Sequence, residues 1–366
     1  MEVRYQVCQA ELSTPKSKDS GYRTRGDKAM KIAFLNGYSN TRGAETFVNE
    51  LSNELFKKNE VTLILGDRKI PRRWPFLWRA FMDPHGFYTF TFTFKNLNKI
   101  WREKFDIVIP INGGWQPALI RMVTWLYGGK MIISGQSGIG WDDKNNLWCF
   151  PDRFVALSTY AKKWAKKVNP FVKIEYIPNG VDVTKFTPEG KSLKTHLKKP
   201  IILTVSALTP TKRVDLVIQA VSRMKSSSLL IVGDGPDRQK LNEMGKTLLG
   251  ERFQIISSPF EEMPSVYRIA DVFTLVSQPY YSFEIAIVEA LATNIPVVVN
   301  NDPIRAEIVD DAGFLVNPND NHSYSLALKK ALLAKWYDKP KMQAQKFSWD
   351  IISDKYESLF RELRGN

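Results

Sequence analysis

The sequence is poor in the residues that build the commonest chemical centres. It has two cysteines, Cys8 and Cys149, and three histidines, His85, His196 and His322. Two cysteines make no disulfide framework, which points to a reducing, cytoplasmic setting. No histidine stands near another histidine or a cysteine at ligand spacing, so no metal site is expected and no cofactor is called for. No apolar run reaches the roughly 18 residues of a membrane span. The nearest, 117–127, is interrupted by Arg121. No two aspartates stand two residues apart, which removes one metal-binding nucleotide-sugar motif. Neither a Gly-x-Ser-x-Gly elbow nor a Gly-x4-Gly-Lys phosphate loop is present, which argues against serine hydrolases and P-loop enzymes. Residues 1–29 are polar and mixed in charge. They read as a disordered extension without a secretory signal or a role in the fold.

What is present is a chain of 366 residues, too long for one ordinary core, so two domains are expected. The net charge is +14, unevenly spread. Residues 1–190 hold 29 Lys+Arg against 18 Asp+Glu, an excess of +11. Such an asymmetry suits an anionic partner or simple solubility. The stretch 71–105 adds a dense mixture of aromatic and basic residues. It reads either as core with an acceptor-cleft wall or as a patch for peripheral contact with a membrane surface. No RNA-module pattern accompanies it, and no nucleic-acid partner is expected.

From Lys31 onward, short apolar runs alternate with helical spacing. The runs 31–35, 61–65, 106–111, 130–134, 153–157 and 174–177 read as strands. Between the first two, Phe47, Val48, Leu51 and Leu55 recur at helical spacing. This is a βαβ unit and implies a parallel sheet. The turn-rich stretch 177–190 and the basic segment 191–200 mark a domain junction. A second alternation follows, with strands at 201–205, 229–232, 253–256, 272–276 and 296–299 and a helix over about 212–224. Each half is thus expected to be a doubly wound α/β unit.

Four features carry chemistry. Lys212 is read at the start of a helix, where free N–H groups and a cation suit a phosphate. The alternative for it is an ordinary solvated lysine. Glu289 is the one charged residue of 285–294; so apolar a helix requires a partner for the carboxylate, and ribose hydroxyls fit, since an ionised carboxylate only accepts hydrogen bonds. A single wet helix face is the alternative. Gly233-Asp234-Gly235 follows a strand, where glycines permit close backbone approach. Arg238 occupies the third glycine position of a dinucleotide fingerprint, which counts against a nicotinamide enzyme. Arg42-Gly43-Ala44-Glu45 joins the first strand to the first helix as a second phosphate-facing loop.

In order and spacing, RGAETFVNELSNEL, RFVALSTYAKKWA, IPNGVDVTKF, ALTPTKRVDLVIQA, LLIVGDGPD, MPSVYRIADVFTLVS, SFEIAIVEALATNIPVVV and AGFLVNPND resemble the retaining GT-B glycosyltransferases of the family-four, group 1 type. The resemblance runs from about Lys31 to Arg364. It implies two Rossmann-like domains facing across a cleft: an acceptor-side domain over 30–190 and a nucleotide-sugar-binding domain over 198–339, with the C-terminal helix 340–366 crossing back to the first. The implied activity is metal-independent transfer of a sugar from a UDP- or GDP-sugar to a glycan, lipid or small-molecule acceptor with retention of configuration.

The resemblance also implies site roles. Lys212 matches the lysine that neutralises the donor diphosphate. Glu289 matches the second glutamate of Glu-x7-Glu, which holds the ribose. Phe283, Glu284 and Ile285 match the segment lying against the donor sugar and phosphate. Gly43 and Ala44 match the N-terminal glycine loop, and Gly233 a loop lining the nucleotide. Four places depart from the pattern. Tyr281 stands where the first glutamate of the motif belongs, and Glu284 stands where a glycine follows the Phe. Ala207 stands at the usual arginine, with Arg213 as a candidate substitute. Gln136 and Ser137 occupy the acceptor-side loop where a histidine is common. Tyr281 and Ala207 motivate an alternative, a catalytically impaired GT-B scaffold that binds a sugar nucleotide or a partner.

Overall fold

The structure, a computed structural model, describes residues 5–6, 29–38, 42–68, 84–280 and 282–365. Tyr281, the first part of the 71–105 stretch and most of the 1–29 extension lie outside the described residues. The chain divides into two compact units.

The first unit comprises the chain up to Leu157, Lys162–Ile177 and Ser353–Asn366. Its strands are β1 (Tyr5–Gln6), β2 (Lys31–Tyr38), β3 (Glu60–Arg68), β4 (Ile107–Pro110), β5 (Lys130–Ser134), β6 (Arg153–Ala156) and β7 (Ile174–Tyr176). Their order across the sheet is β1-β3-β2-β4-β5-β6-β7. All pair in parallel except β1, which adds antiparallel to β3. The extension read as having no role in the fold therefore contributes Tyr5–Gln6 to a sheet edge, a correction to that expectation. Between the strands run α1 (Arg42–Phe56), α2 (Pro84–Glu103), α3 (Trp115–Tyr127), α4 (Trp141–Leu147) and α5 (Thr159–Val168). The helical spacing on α1 does what it implied: Phe47, Val48, Leu51 and Leu55 are all buried. Each such side chain contributes about 1.5–3 kcal/mol on burial.

The second unit comprises Ser158–Ala161 and Pro178–Ile352. It holds β8 (Ile201–Val205), α6 (Val214–Ser222), β9 (Ser228–Val232), α7 (Arg238–Leu249), β10 (Phe253–Ile256), α8 (Met263–Tyr267), β11 (Val272–Leu275), α9 (Ile285–Ala292), β12 (Val297–Asn300), α10 (Pro303–Val309), β13 (Gly313–Val316), α11 (Asn321–Leu333) and α12 (Lys339–Gln345). The last helix, α13 (Trp349–Arg364), passes from this unit into the first. The sheet order is β10-β9-β8-β11-β12-β13, all parallel. This is the doubly wound order in which the chain starts at the centre, runs to one edge and returns to the other. The interior strands are apolar on both faces, as a sheet covered on both sides requires. Both halves are thus α/β, as expected.

The boundary lies at Ile177–Pro178, upstream of the junction expected at 191–200. Arg268 supplies a reason. Its guanidinium donates to the carbonyls of Thr187 at 2.8 Å and Lys191 at 3.0 Å. Phe186 sets its ring against Tyr267, with centroids 5.6 Å apart. The 178–191 segment is thereby fastened to α8. Of the stretch 340–366, Ser353–Asn366 groups with the first unit. By contrast α12 packs on α9 in the second, where Lys341 N–H donates to the Asn294 side chain at 3.2 Å.

Candidate active site

In a doubly wound sheet, ligands bind beyond the C-terminal strand ends where the strand order reverses. In the second unit that point lies between β8 and β11, which are neighbours. Lys212 leaves the loop after β8, and Glu284 the loop after β11. A backbone hydrogen bond from Gln278 N–H to the Thr211 carbonyl, 2.7 Å, ties the two loops together.

Lys212 is not the first residue of α6. Thr209-Pro210 turns the chain into a 3₁₀ turn over Pro210–Lys212, and Arg213 follows in the left-handed region at φ 51°. The helix begins at Val214. The reading of Lys212 as a helix-start residue is corrected accordingly, because the reversal at Arg213 interrupts the helical path. Arg213 itself has a partner in another loop of this unit. Its guanidinium donates to Asn319.

The Lys212 ammonium donates to both carboxylate oxygens of Glu284, at 2.7 and 2.8 Å. Glu284 caps α9 from the left-handed region, φ 60°. A third member comes from α10. Arg305 is fully buried, with its Nη2 at 2.6 Å from Ser277 Oγ and 3.5 Å from Glu284 Oε1. Asp302 completes the set. One of its oxygens accepts the Ile304 and Arg305 backbone N–H groups that open α10, and the other lies 3.3 Å from Arg305 Nη1. Two cations and two carboxylates thus balance inside the protein. Burial pushes the Glu284 carboxyl upward, but Lys212, then Arg305, and a bond from Ser277 outweigh it and hold it below the ordinary carboxylate range.

One turn further along α9, Glu289 is buried at 7% exposure. The wet-face alternative therefore fails. One of its oxygens accepts from the Tyr267 hydroxyl at 2.7 Å. Burial, reinforced by the Glu289 charge, raises the Tyr267 phenol well above its usual value, so it stays a donor. Phe283 is buried against Phe347, with ring centroids 5.7 Å apart, which anchors the entry to α9. Ile285 is half-buried at its first turn. Gly233 lies in the neighbouring loop, after β9. A Cβ there would meet the Ser206 carbonyl at 1.9 Å. At Gly235 it would meet the Leu208 carbonyl at 2.4 Å. These glycines are required by loop-to-loop packing, a different reason from the ligand approach read from the sequence.

The first unit has its own reversal point, between β2 and β4. Amides line it. Asn112 Oδ1 accepts from Gly37 N–H at 2.7 Å, and its Nδ2 donates to Asn36 Oδ1 at 3.3 Å. Asn112 N–H donates to the buried Gln116 side chain at 2.9 Å. In the next loop Gln136 donates to Ser134 Oγ at 2.9 Å, and Ser137 is exposed. Gly43 and Ala44 lie in the first turn of α1, exposed and half-buried. Close by Gly135 stands Asp143, 3% exposed. Burial pushes its carboxyl up to about 8, against a modest opposing bond from Asn146.

The structure therefore brings Lys212 and Glu284 together on adjoining loops of the second unit, with Glu289 further along α9 and Gly233 in the loop after β9. Gly43, Ala44, Gln136 and Ser137 belong to the first. Ser277, Asp302, Arg305 and Tyr267 were missed in the sequence. A signal existed for two of them: Asp302-Pro303 is a helix-start signature, and Arg305 is the lone cation of that helix. Among the described residues no three His, Cys, Asp or Glu side chains cluster as a metal site.

Comparison with known proteins gives the same picture. Residues 186–347 match the family described as Glycosyl transferases group 1, and residues 41–185 that described as Glycosyltransferase Family 4. An exopolysaccharide phosphotransferase of Streptomyces coelicolor, SCO2592, is 29% identical over 58% of this chain and 23% of its own length. A GDP-mannose-dependent alpha-(1-6)-phosphatidylinositol monomannoside mannosyltransferase of Mycolicibacterium smegmatis is 26% identical over 48% of this chain and 52% of its own. The chain thus spans about a quarter to a half of these relatives. The crystal structure of Anabaena Alr3699/HepE in complex with UDP-glucose covers 91% of this chain and 100% of its own, with a TM-score of 0.72 at 15% identity. Two doubly wound α/β units, a charged reversal point in the second and family matches over both halves agree: this chain belongs to the group 1 GT-B glycosyltransferases.

Proposed function

We propose that the protein transfers a glycosyl residue from a UDP- or GDP-sugar to a hydroxyl of a glycan, lipid or small-molecule acceptor, with retention of configuration and without a metal. The observation that carries this reading is the Lys212 ammonium at the β8/β11 reversal point, with the buried Glu289 carboxylate following on α9. Lys212 is suited to the diphosphate and Glu289 to the ribose hydroxyls. In this mechanism the bond from the anomeric carbon to the diphosphate oxygen breaks through an oxocarbenium-like transition state. The acceptor oxygen enters on the same face, and its proton passes to the departing phosphate oxygen. Lys212 stabilises the charge that accumulates on that leaving group. Thermal denaturation against UDP, GDP and their sugar conjugates tests the reading. Stabilisation by one nucleotide family, lost in Glu289→Ala, is the expected result. A protein that binds a sugar nucleotide but neither transfers nor hydrolyses it is the impaired scaffold instead.

The proposal includes peripheral contact of the first unit with an anionic membrane surface. No helix among the described residues is long and apolar enough to cross a bilayer. Two neighbouring helices nevertheless present large apolar side chains outward: Phe87, Phe94 and Trp101 from α2, and Met122, Trp125 and Leu126 from α3. Lys95 and Arg102 are exposed on α2, and the excess positive charge lies in this half of the chain. Aromatic and aliphatic faces rimmed by cations suit the headgroup region. Co-sedimentation with vesicles of phosphatidylcholine and phosphatidylglycerol, reduced in Trp125→Ser/Leu126→Ser, is the expected outcome. Equal recovery of both proteins with the vesicles removes this part of the reading.

A further inference from the structure

Glu284 departs from the family pattern, and its setting is unusual in three ways. It adopts φ 60°, a region that side-chain-bearing residues rarely visit and that persists only where the surroundings over-determine it. Its side chain is 8% exposed, yet it is ionised. Both of its oxygens face the ammonium that the donor site depends on. Of the two cations around it, Arg305 has no accessible side-chain surface, whereas Lys212 keeps 14%. Lys212 is thus the cation a ligand can reach, and an internal carboxylate already engages it.

We propose that Glu284 is a built-in counter-anion, which the donor's diphosphate displaces from Lys212 on binding. The proposal rests on the reading of the second unit as the donor site. An ammonium has three N–H donors and no acceptor. A diphosphate that claims them competes directly with the two Glu284 oxygens and meets a like charge beside them. Displacement is feasible because Glu284 has other partners in place: the Arg305 guanidinium at 3.5 Å, which also holds Ser277. The carboxylate can therefore release Lys212 without becoming an unpaired buried charge. The consequence is selectivity. Glu284 weakens every ligand that must take Lys212 from it, in proportion to that ligand's phosphate charge, and leaves the nucleoside part unaffected. An apo site of balanced charge attracts stray anions less than a bare lysine would.

Isothermal titration of UDP, GDP and their sugar conjugates, with uridine and guanosine as controls, separates this from a structural role. Glu284→Gln keeps the shape and removes the charge; Glu284→Gly suits φ 60° and guards against a folding defect in the first variant. The expected result is that both variants bind the nucleoside diphosphate roughly tenfold more tightly than the unaltered protein. Binding of the nucleoside stays unchanged. In a Lys212→Ala background, Glu284→Gln makes no further difference, since the contested cation is gone. Unchanged or weaker diphosphate binding in both folded variants overturns the proposal while leaving the donor site standing. So does a loss confined to the sugar conjugate, which would make Glu284 an acceptor for donor-sugar hydroxyls. Absence of nucleotide binding by the unaltered protein and by every variant, with normal unfolding curves, overturns the donor-site reading and the proposal together.

Discussion

The two units share one architecture and differ in what they place at its reversal point. The second unit sets Lys212, Arg305, Glu284 and Asp302 there, full charges locked in ion pairs. The first unit sets Asn36, Asn112 and Gln116 there, amides bonded to one another and to the backbone. Its nearby carboxyl, Asp143, is pushed by burial toward neutrality. The same fold thus sets a charged cluster on one sheet and a neutral one on the other. A diphosphate requires a cation held in advance. A hydroxyl-bearing acceptor is better served by amides, which both donate and accept without a heavy desolvation cost. The division of labour in the proposed reaction follows from this contrast.

The contrast can be broken most sharply at Lys212. Replacing it by Ala removes the cation from the charged site, and turnover is expected to fall on the order of 100- to 1000-fold, as for loss of one transition-state donor. Steady-state kinetics with the donor identified by the thermal screen checks this; near-normal turnover would refute the role given to Lys212.

The neutral site is sharpened through Asp143. Its folded carboxyl titrates at about 8, above the unfolded value of 3.8. Between those values the unfolded chain has lost its proton and the folded protein keeps it, so stability falls as pH rises through this window. Asp143→Asn removes that slope. The variant is expected to be more stable than the unaltered protein by on the order of a few kcal/mol at pH 8 and above, with the gap closing below pH 4. Denaturant unfolding across that range decides it; parallel pH profiles would contradict a buried neutral Asp143.

Arg213 gives the smallest expected effect. Its guanidinium is engaged by Asn319, and Arg213→Ala is expected to leave nucleotide affinity within about twofold and stability within about 0.5 kcal/mol. A larger loss of affinity would return Arg213 to the phosphate.

Much of the scaffold was legible because local pattern and tertiary role agree. The alternation of apolar runs and helical spacing gave the β2-α1-β3 unit and most later strands, and Phe47 through Leu55 face the core they were expected to face. β13 escaped because GFLV is four residues long and half-buried along most of its length, with no alternation to mark it. The domain boundary was misjudged because composition shows a basic, turn-rich segment but not which core it touches; Arg268, from a distant part of the chain, decides that. At the site, the residues that matched a motif, Lys212 and Glu289, could be named from spacing. Arg305 carried only the weak signal of a lone cation on its helix, since its partners Ser277 and Glu284 lie 28 and 21 residues away. The conformation of Glu284 was equally hidden, because a left-handed glutamate has no sequence signal of its own.

The closed balance among Lys212, Glu284, Arg305 and Asp302 has a consequence for descent. Altering Arg305 alone strands the buried Asp302 carboxylate paired with it, a change that typically costs several kcal/mol. A related chain with glycine at the position of Glu284 keeps the equivalent of Arg305 paired with Asp302 and loses only the carboxylate that engages the equivalent of Lys212.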